Sequence, residues 1–203
     1  MELQERFKNL LITIGFNASE INILWFDLHD VYSTKSRYYH NLNHLKEMIV
    51  LYDEYNLELE FPNEVLFSIF YHDYVYKVTR KDNELKSAEY ALSILPSITT
   101  LNKQLVFDMI CATKNHQHNK IEDINWLIDF DLKILSKNWE DYKMYCSQIR
   151  KEYKIYPNIL YKPGRKKALQ HFLENQSIYQ TETFKTKYED KARKNIQQEI
   201  AIL

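Results

Sequence analysis

Four residues of metal-ligating type stand in a fixed order along the chain: His44, the adjacent pair His72-Asp73, and Asp131. Imidazole and carboxylate side chains converging from separate helices can hold a divalent cation, and a cation that keeps open positions can activate water. Hydrolysis is therefore the leading chemistry. His40 lies four residues before His44, a spacing that puts both on one side of a helix. His72-Asp73 offers a nitrogen and an oxygen ligand in succession, but adjacent helical residues point about 100° apart. Both reach one ion only where a helix ends or kinks. A second such dipeptide, His29-Asp30, has no histidine-bearing helix before it and is set aside. Asp129 and Asp131 lie in an apolar run where an unpartnered charge is costly, so each needs a cation, a base or a proton. Two residues apart, they face different sides, and one of them at most is expected to reach a metal.

The elements that must position these residues are helices. With 203 residues, 45% of them hydrophobic, and only 2 Gly and 4 Pro, the composition argues against a strand-and-turn fold and against disorder. Apolar positions recur at three- and four-residue intervals, predicting an all-α, single-domain bundle of about eight to ten helices. Its metal core is expected over about residues 37–135, with a C-terminal helical extension over about 138–203. Asn17 with Glu20 three residues on predicts a capping box opening a helix through Tyr32. Further helices are expected over about 40–55, from Pro62 towards the His72-Asp73 pair, over about 82–96, 101–116, 121–135, 141–156, 165–174 and 181–200. Pro157 and Pro163-Gly164 predict a loop between the helices over about 141–156 and 165–174.

Composition also excludes partners. Lys+Arg 27 against Asp+Glu 28 leaves a net charge of -1, which supplies no global field for a nucleic acid. No run approaches the ~20 apolar residues of a membrane span, and the N-terminus lacks a signal-peptide pattern. Cys111 and Cys146 sit in apolar, helix-like stretches and are expected as free thiols. A cytoplasmic protein without a membrane partner is the expectation, and the sequence is silent on oligomeric state. The 16 tyrosines read first as packing; Tyr71, Tyr74 and Tyr76 around the His-Asp pair could also line a nucleobase pocket. The basic run over residues 161–167 reads as a solvated turn able to touch phosphate.

The histidine, the His-Asp pair and the later aspartate resemble the signature of the HD-domain superfamily of metal-dependent phosphohydrolases. The run Tyr39-His40-Asn41-Leu42-Asn43-His44 is also similar to the first metal motif of the cyclic-nucleotide phosphodiesterases, distant relatives in that superfamily. More closely, the chain looks like a bacterial group of predicted metal-dependent HD-superfamily phosphohydrolases. The likeness runs through Arg37-Tyr38-Tyr39-His40-Asn41, Tyr71-His72-Asp73-Tyr74-Val75-Tyr76, Asp82-Asn83-Glu84 with Ser87-Ala88, Ala112-Thr113 with His116, Asp129-Phe130-Asp131-Leu132, Ile149-Arg150-Lys151-Glu152-Tyr153 and Gly164-Arg165.

That resemblance implies His44, His72, Asp73 and Asp131 as ligands, with Asp129 in reserve, and His40 as the acid that protonates the leaving oxygen. Asp73 would also handle the proton of the attacking water. His116 is a candidate for a second metal or for phosphate. Arg37, Arg150 and Arg165 are the candidate phosphate contacts, because a guanidinium fork matches two phosphate oxygens. The donor set admits Mn, Mg, Fe, Ni or Zn. The expected substrate is a small phosphorylated molecule, a nucleotide first. The rival expectations are a nucleotide-sensing module without turnover and a metal-dependent oxygenase.

Overall fold

The computed structural model describes residues 2–203, and among them it contains ten α-helices and no strand. The all-α expectation holds. By its internal contacts the chain divides into two compact units, Met1–Asn115 and His116–Leu203.

The first unit comprises α1 (Leu3–Thr13), α2 (Ala18–Tyr32), α3 (Leu42–Tyr55), α4 (Pro62–Tyr71), α5 (Asn83–Ile94) and α6 (Lys103–Ala112), with a short 3-10 turn at Asn56–Glu58. The predicted capping box is present: the Asn17 side chain accepts from the Glu20 amide at 3.0 Å, and the Glu20 carboxylate accepts from the Asn17 amide at 2.9 Å. Such a cap stabilises a helix start by about 1 kcal/mol. Pro62 opens α4, where its missing N–H is no loss. From Glu64 to Tyr71 every residue of α4 is buried, as expected of a largely apolar helix that others pack against, and its acid Glu64 accepts from the Asn102 amide at 2.9 Å. Its neighbours are α1, α3, α5 and α6, which bring Phe7, Leu11, Leu45, Ala88 and Val106 into the core.

The second unit comprises α7 (Glu122–Leu132), a 3-10 turn at Lys133–Ser136, α8 (Trp139–Glu152), α9 (Asn158–Glu174) and α10 (Glu182–Ile202). Here α7 is the buried helix: from Asp123 to Leu132 only Asp131 keeps partial exposure. Leu127, Ile128, Phe130, Tyr142, Phe184 and Ile196 form the core around it.

Two local expectations need correcting. The helix expected from about residue 40 begins at Leu42, because the Asn41 side chain accepts from the Asn43 amide at 2.8 Å and caps the helix there. His40 therefore lies outside α3 and does not share a helical face with His44. The loop expected around Pro163-Gly164 is helical: α9 runs straight through both. An internal proline removes a backbone donor and costs about 3 kcal/mol. Tertiary anchoring overrides that local signal, because Tyr161 and Leu169 are buried on either side and Arg165 between them is ion-paired.

Candidate metal centre

In the first unit the site begins where α4 stops. His72 is the C-terminal cap residue of α4, and its Nδ1 lies 2.9 Å from the carbonyl of Ile69, one of the carbonyls a helix end leaves without an amide. A carbonyl only accepts, so Nδ1 carries a proton towards it, and Nε2 is the ring atom left to meet the other side chains. The His72 Nε2 lies 3.3 Å from the Nε2 of His44 and 3.1 Å from the Oδ2 of Asp73. His44 and His72 are both buried, at 3% and 1% exposure. Placing Asp73 beside His72 is possible because the helix ends there and the chain turns, as the dipeptide requires.

That turn is pinned from three sides. The Arg37 guanidinium donates to the carbonyls of His40 at 3.2 Å, Asp73 at 2.7 Å and Tyr74 at 2.8 Å. It also lies over the rings of Tyr32 at 4.8 Å and Tyr76 at 5.6 Å. From α5, the Ser87 hydroxyl accepts from the Val75 amide at 3.0 Å, and the Asn83 carboxamide accepts from the Lys77 amide at 3.1 Å and donates to the Lys77 carbonyl at 3.0 Å. Asn83 and Ser87 thus serve the backbone of the turn. His40 stacks on Tyr76 with ring centroids 4.1 Å apart, and its ring lies 6.1 Å from that of His44.

In the second unit the two acids of α7 have different surroundings. Asp129 is fully buried, and its oxygens accept from the Gln180 amide at 2.6 Å, the Thr181 amide at 2.8 Å and the Thr181 hydroxyl at 2.7 Å. Burial pushes its carboxyl up to about 7, and the hydrogen bonds from Thr181 and Gln180 pull the other way. Asp129 therefore anchors the start of α10, where Thr181 is the N-cap. Asp131 is the half-buried acid, with its Oδ2 3.5 Å from the Nε2 of His116. His116 adopts a positive φ of 52°, unusual for a residue with a side chain, and its carbonyl accepts from the Gln180 side chain at 2.9 Å. Asp131 and His116 thus face each other within this unit, a carboxylate and an imidazole of metal-ligating type.

The three arginines expected at phosphate all have partners within their own unit. Besides Arg37, Arg150 donates to Asn158 at 3.0 Å and to the carbonyls of Tyr153 at 3.0 Å and Tyr156 at 3.1 Å. Arg165 grips Glu199 through two bonds of 2.7 and 3.0 Å. Glu199 also accepts from the Tyr142 hydroxyl at 2.6 Å. Burial pushes the Glu199 carboxyl up, but Arg165 outweighs it and holds the carboxyl below its ordinary value. Sequence reasoning missed Glu199, since nothing near it in sequence marks it as the partner of Arg165. Cys111 and Cys146 are free, as expected, but half-buried rather than fully buried.

Comparison with known family models, curated proteins and solved structures finds no match to this chain.

Proposed function

We propose that this protein is a metal-dependent phosphohydrolase that cleaves a phosphomonoester or phosphodiester in a nucleotide or other small phosphorylated metabolite. The observation that carries the reading is the approach of two buried imidazole nitrogens to 3.3 Å with a carboxylate 3.1 Å from one of them. With the Nδ1 of His72 committed to the Ile69 carbonyl, its Nε2 is the ring atom that faces the Asp73 carboxylate, a contact that a proton or a cation between them completes. Two imidazoles and a carboxylate fit Fe, Ni or Zn better than Mg, which favours an all-oxygen shell. His44, His72 and Asp73 would hold the ion, with Asp131 the fourth ligand that the sequence pattern implies and His116 orienting it through the contact they share.

Once bound, the cation would supply positive charge beside the phosphoryl group and a more acidic water. Asp73, partly exposed and next to His72, would take the proton of the attacking water. His40 would protonate the leaving oxygen as the ester bond breaks, with its ring held in place by Tyr76.

The test is metal analysis of the purified protein, followed by a screen of nucleotides and phosphate esters with Mn²⁺, Fe²⁺, Ni²⁺, Zn²⁺ and Mg²⁺. Turnover that Asp73→Ala reduces by at least ~10²-fold is expected. Tight nucleotide binding with no turnover under any metal would replace the enzyme with a sensing module.

A further inference from the structure

We infer that the first half of α9, with the turn before it, docks on an anionic lipid surface. α9 is held to its unit by a single stripe, Tyr161, Arg165, Leu169 and Phe172, at spacings of four, four and three residues. The rest of the helix faces outward, and its leading corner is apolar: Ile155, Ile159 and Leu160 are 66%, 81% and 61% exposed. Three large aliphatic side chains within six residues, all in water, go beyond the scattered exposure ordinary surfaces show.

The charge around this corner has one sign. Between residues 153 and 173 every charged side chain is basic, in a chain whose net charge is -1. Lys162, Lys166 and Lys167 are exposed on α9, and Lys154 is exposed in the turn; none of the four makes a side-chain ion pair or hydrogen bond among the described residues. None of the three lysines on α9 sits in its last turn, where a cation would favour the helix dipole, so that effect does not account for them. The N-cap residue of α9 is Pro157, which provides no side-chain cap, so the positive end of a 17-residue helix adds to the same field.

Protruding aliphatic groups ringed by lysines match an anionic bilayer surface, where the apolar side chains enter the headgroup boundary and the ammonium groups meet lipid phosphate. A nucleic acid calls for stacking aromatics and arginine forks, and both local arginines, Arg150 and Arg165, are committed inside the unit. A second copy across a two-fold axis would set lysines against lysines. No helix among the described residues is long and apolar enough to cross a membrane, and docking on a surface requires none. The solvated turn expected from the sequence is instead a helix with an outward face, and the expectation of no membrane partner rested on the lack of an apolar span and of a signal-peptide pattern, neither of which bears on a surface-docked helix.

Co-sedimentation of the full chain with vesicles tests this, using phosphatidylcholine alone against phosphatidylcholine mixed with phosphatidylglycerol, at low and high salt. Pelleting is expected with the anionic vesicles only, and is expected to weaken as salt rises. Replacing Lys162, Lys166 and Lys167 together by Gln is expected to lower the partition coefficient by about 100-fold, from about fivefold per lysine. Ile159→Ser with Leu160→Ser is expected to lower it by roughly tenfold or more. All five positions are exposed, so melting temperature should stay unchanged, which separates lost docking from lost folding. Three results would overturn the inference: equal pelleting, or none, with both vesicle types; serine variants that bind anionic vesicles as well as wild type; and a dimer in sedimentation abolished by those variants without vesicle binding.

Discussion

Each unit has a buried polar cluster, and the two are opposites. In the second unit Glu199 receives two bonds from Arg165 and one from Tyr142, so donors and acceptors are matched and the charges cancel in place. In the first unit, with Nδ1 of His72 committed to Ile69, its Nε2 faces the His44 nitrogen and the Asp73 carboxylate. A cluster completed from within the chain is a staple. A cluster of two imidazoles and a carboxylate is made of metal-ligating types, and that difference separates the residues that build this protein from those we assign to its chemistry.

The largest effect should come from breaking the complete cluster. Glu199→Ala strands the Arg165 guanidinium in the interior and is expected to cost about 3–5 kcal/mol in chemical denaturation, the usual cost of removing one partner of a buried pair. The open cluster should respond to metal instead. Zn²⁺ or Mn²⁺ at a hundred times its Kd is expected to stabilise the wild type by about 2.7 kcal/mol, and His72→Ala to abolish that gain. A melting temperature in the variant that still rises with metal would place the site elsewhere.

Arg37 tests whether the turn holding Asp73 matters for ligation. Arg37→Lys keeps the charge but cannot span three carbonyls, and is expected to weaken metal affinity by 10–100-fold, read by titration calorimetry. An unchanged affinity would reduce Arg37 to packing. The smallest effect is one of pH. The folded carboxyl of Glu199 titrates below its unfolded value of about 4.3, so its stabilisation is present above that value and fades as pH falls through the lower folded one. Acid titration of wild type against Glu199→Gln should show this limb in the wild type alone.

How much of this was legible in the sequence depended on range. Signals set by a few neighbouring residues were readable: the Asn17 and Glu20 box, Pro62 at the start of α4, and a His-Asp pair that must sit where a helix stops. The cap that excludes His40 from α3 was also local, since Asn41 two residues before Asn43 is a capping pattern, but the even spacing of the two histidines hid it. What could not be read came from distance along the chain. Arg165 looked available for phosphate because Glu199 lies 34 residues away, and α9 looked broken because its anchors are tertiary. Ligand types announce themselves in sequence, whereas the partners that neutralise an arginine do not.

The two-residue step from Asp129 to Asp131 has a consequence for how the chain can be cut. Helical geometry turns those two carboxylates about 200° apart, so one rod carries a bolt on one side and a candidate ligand on the other. Ending the chain before Gln180 would strip Asp129 of the amides and hydroxyl it accepts from, and leave a buried, unmatched acid at the centre of the unit. Such a truncation would be expected to cost the protein its grip on metal even though the deleted residues include none of the proposed ligands.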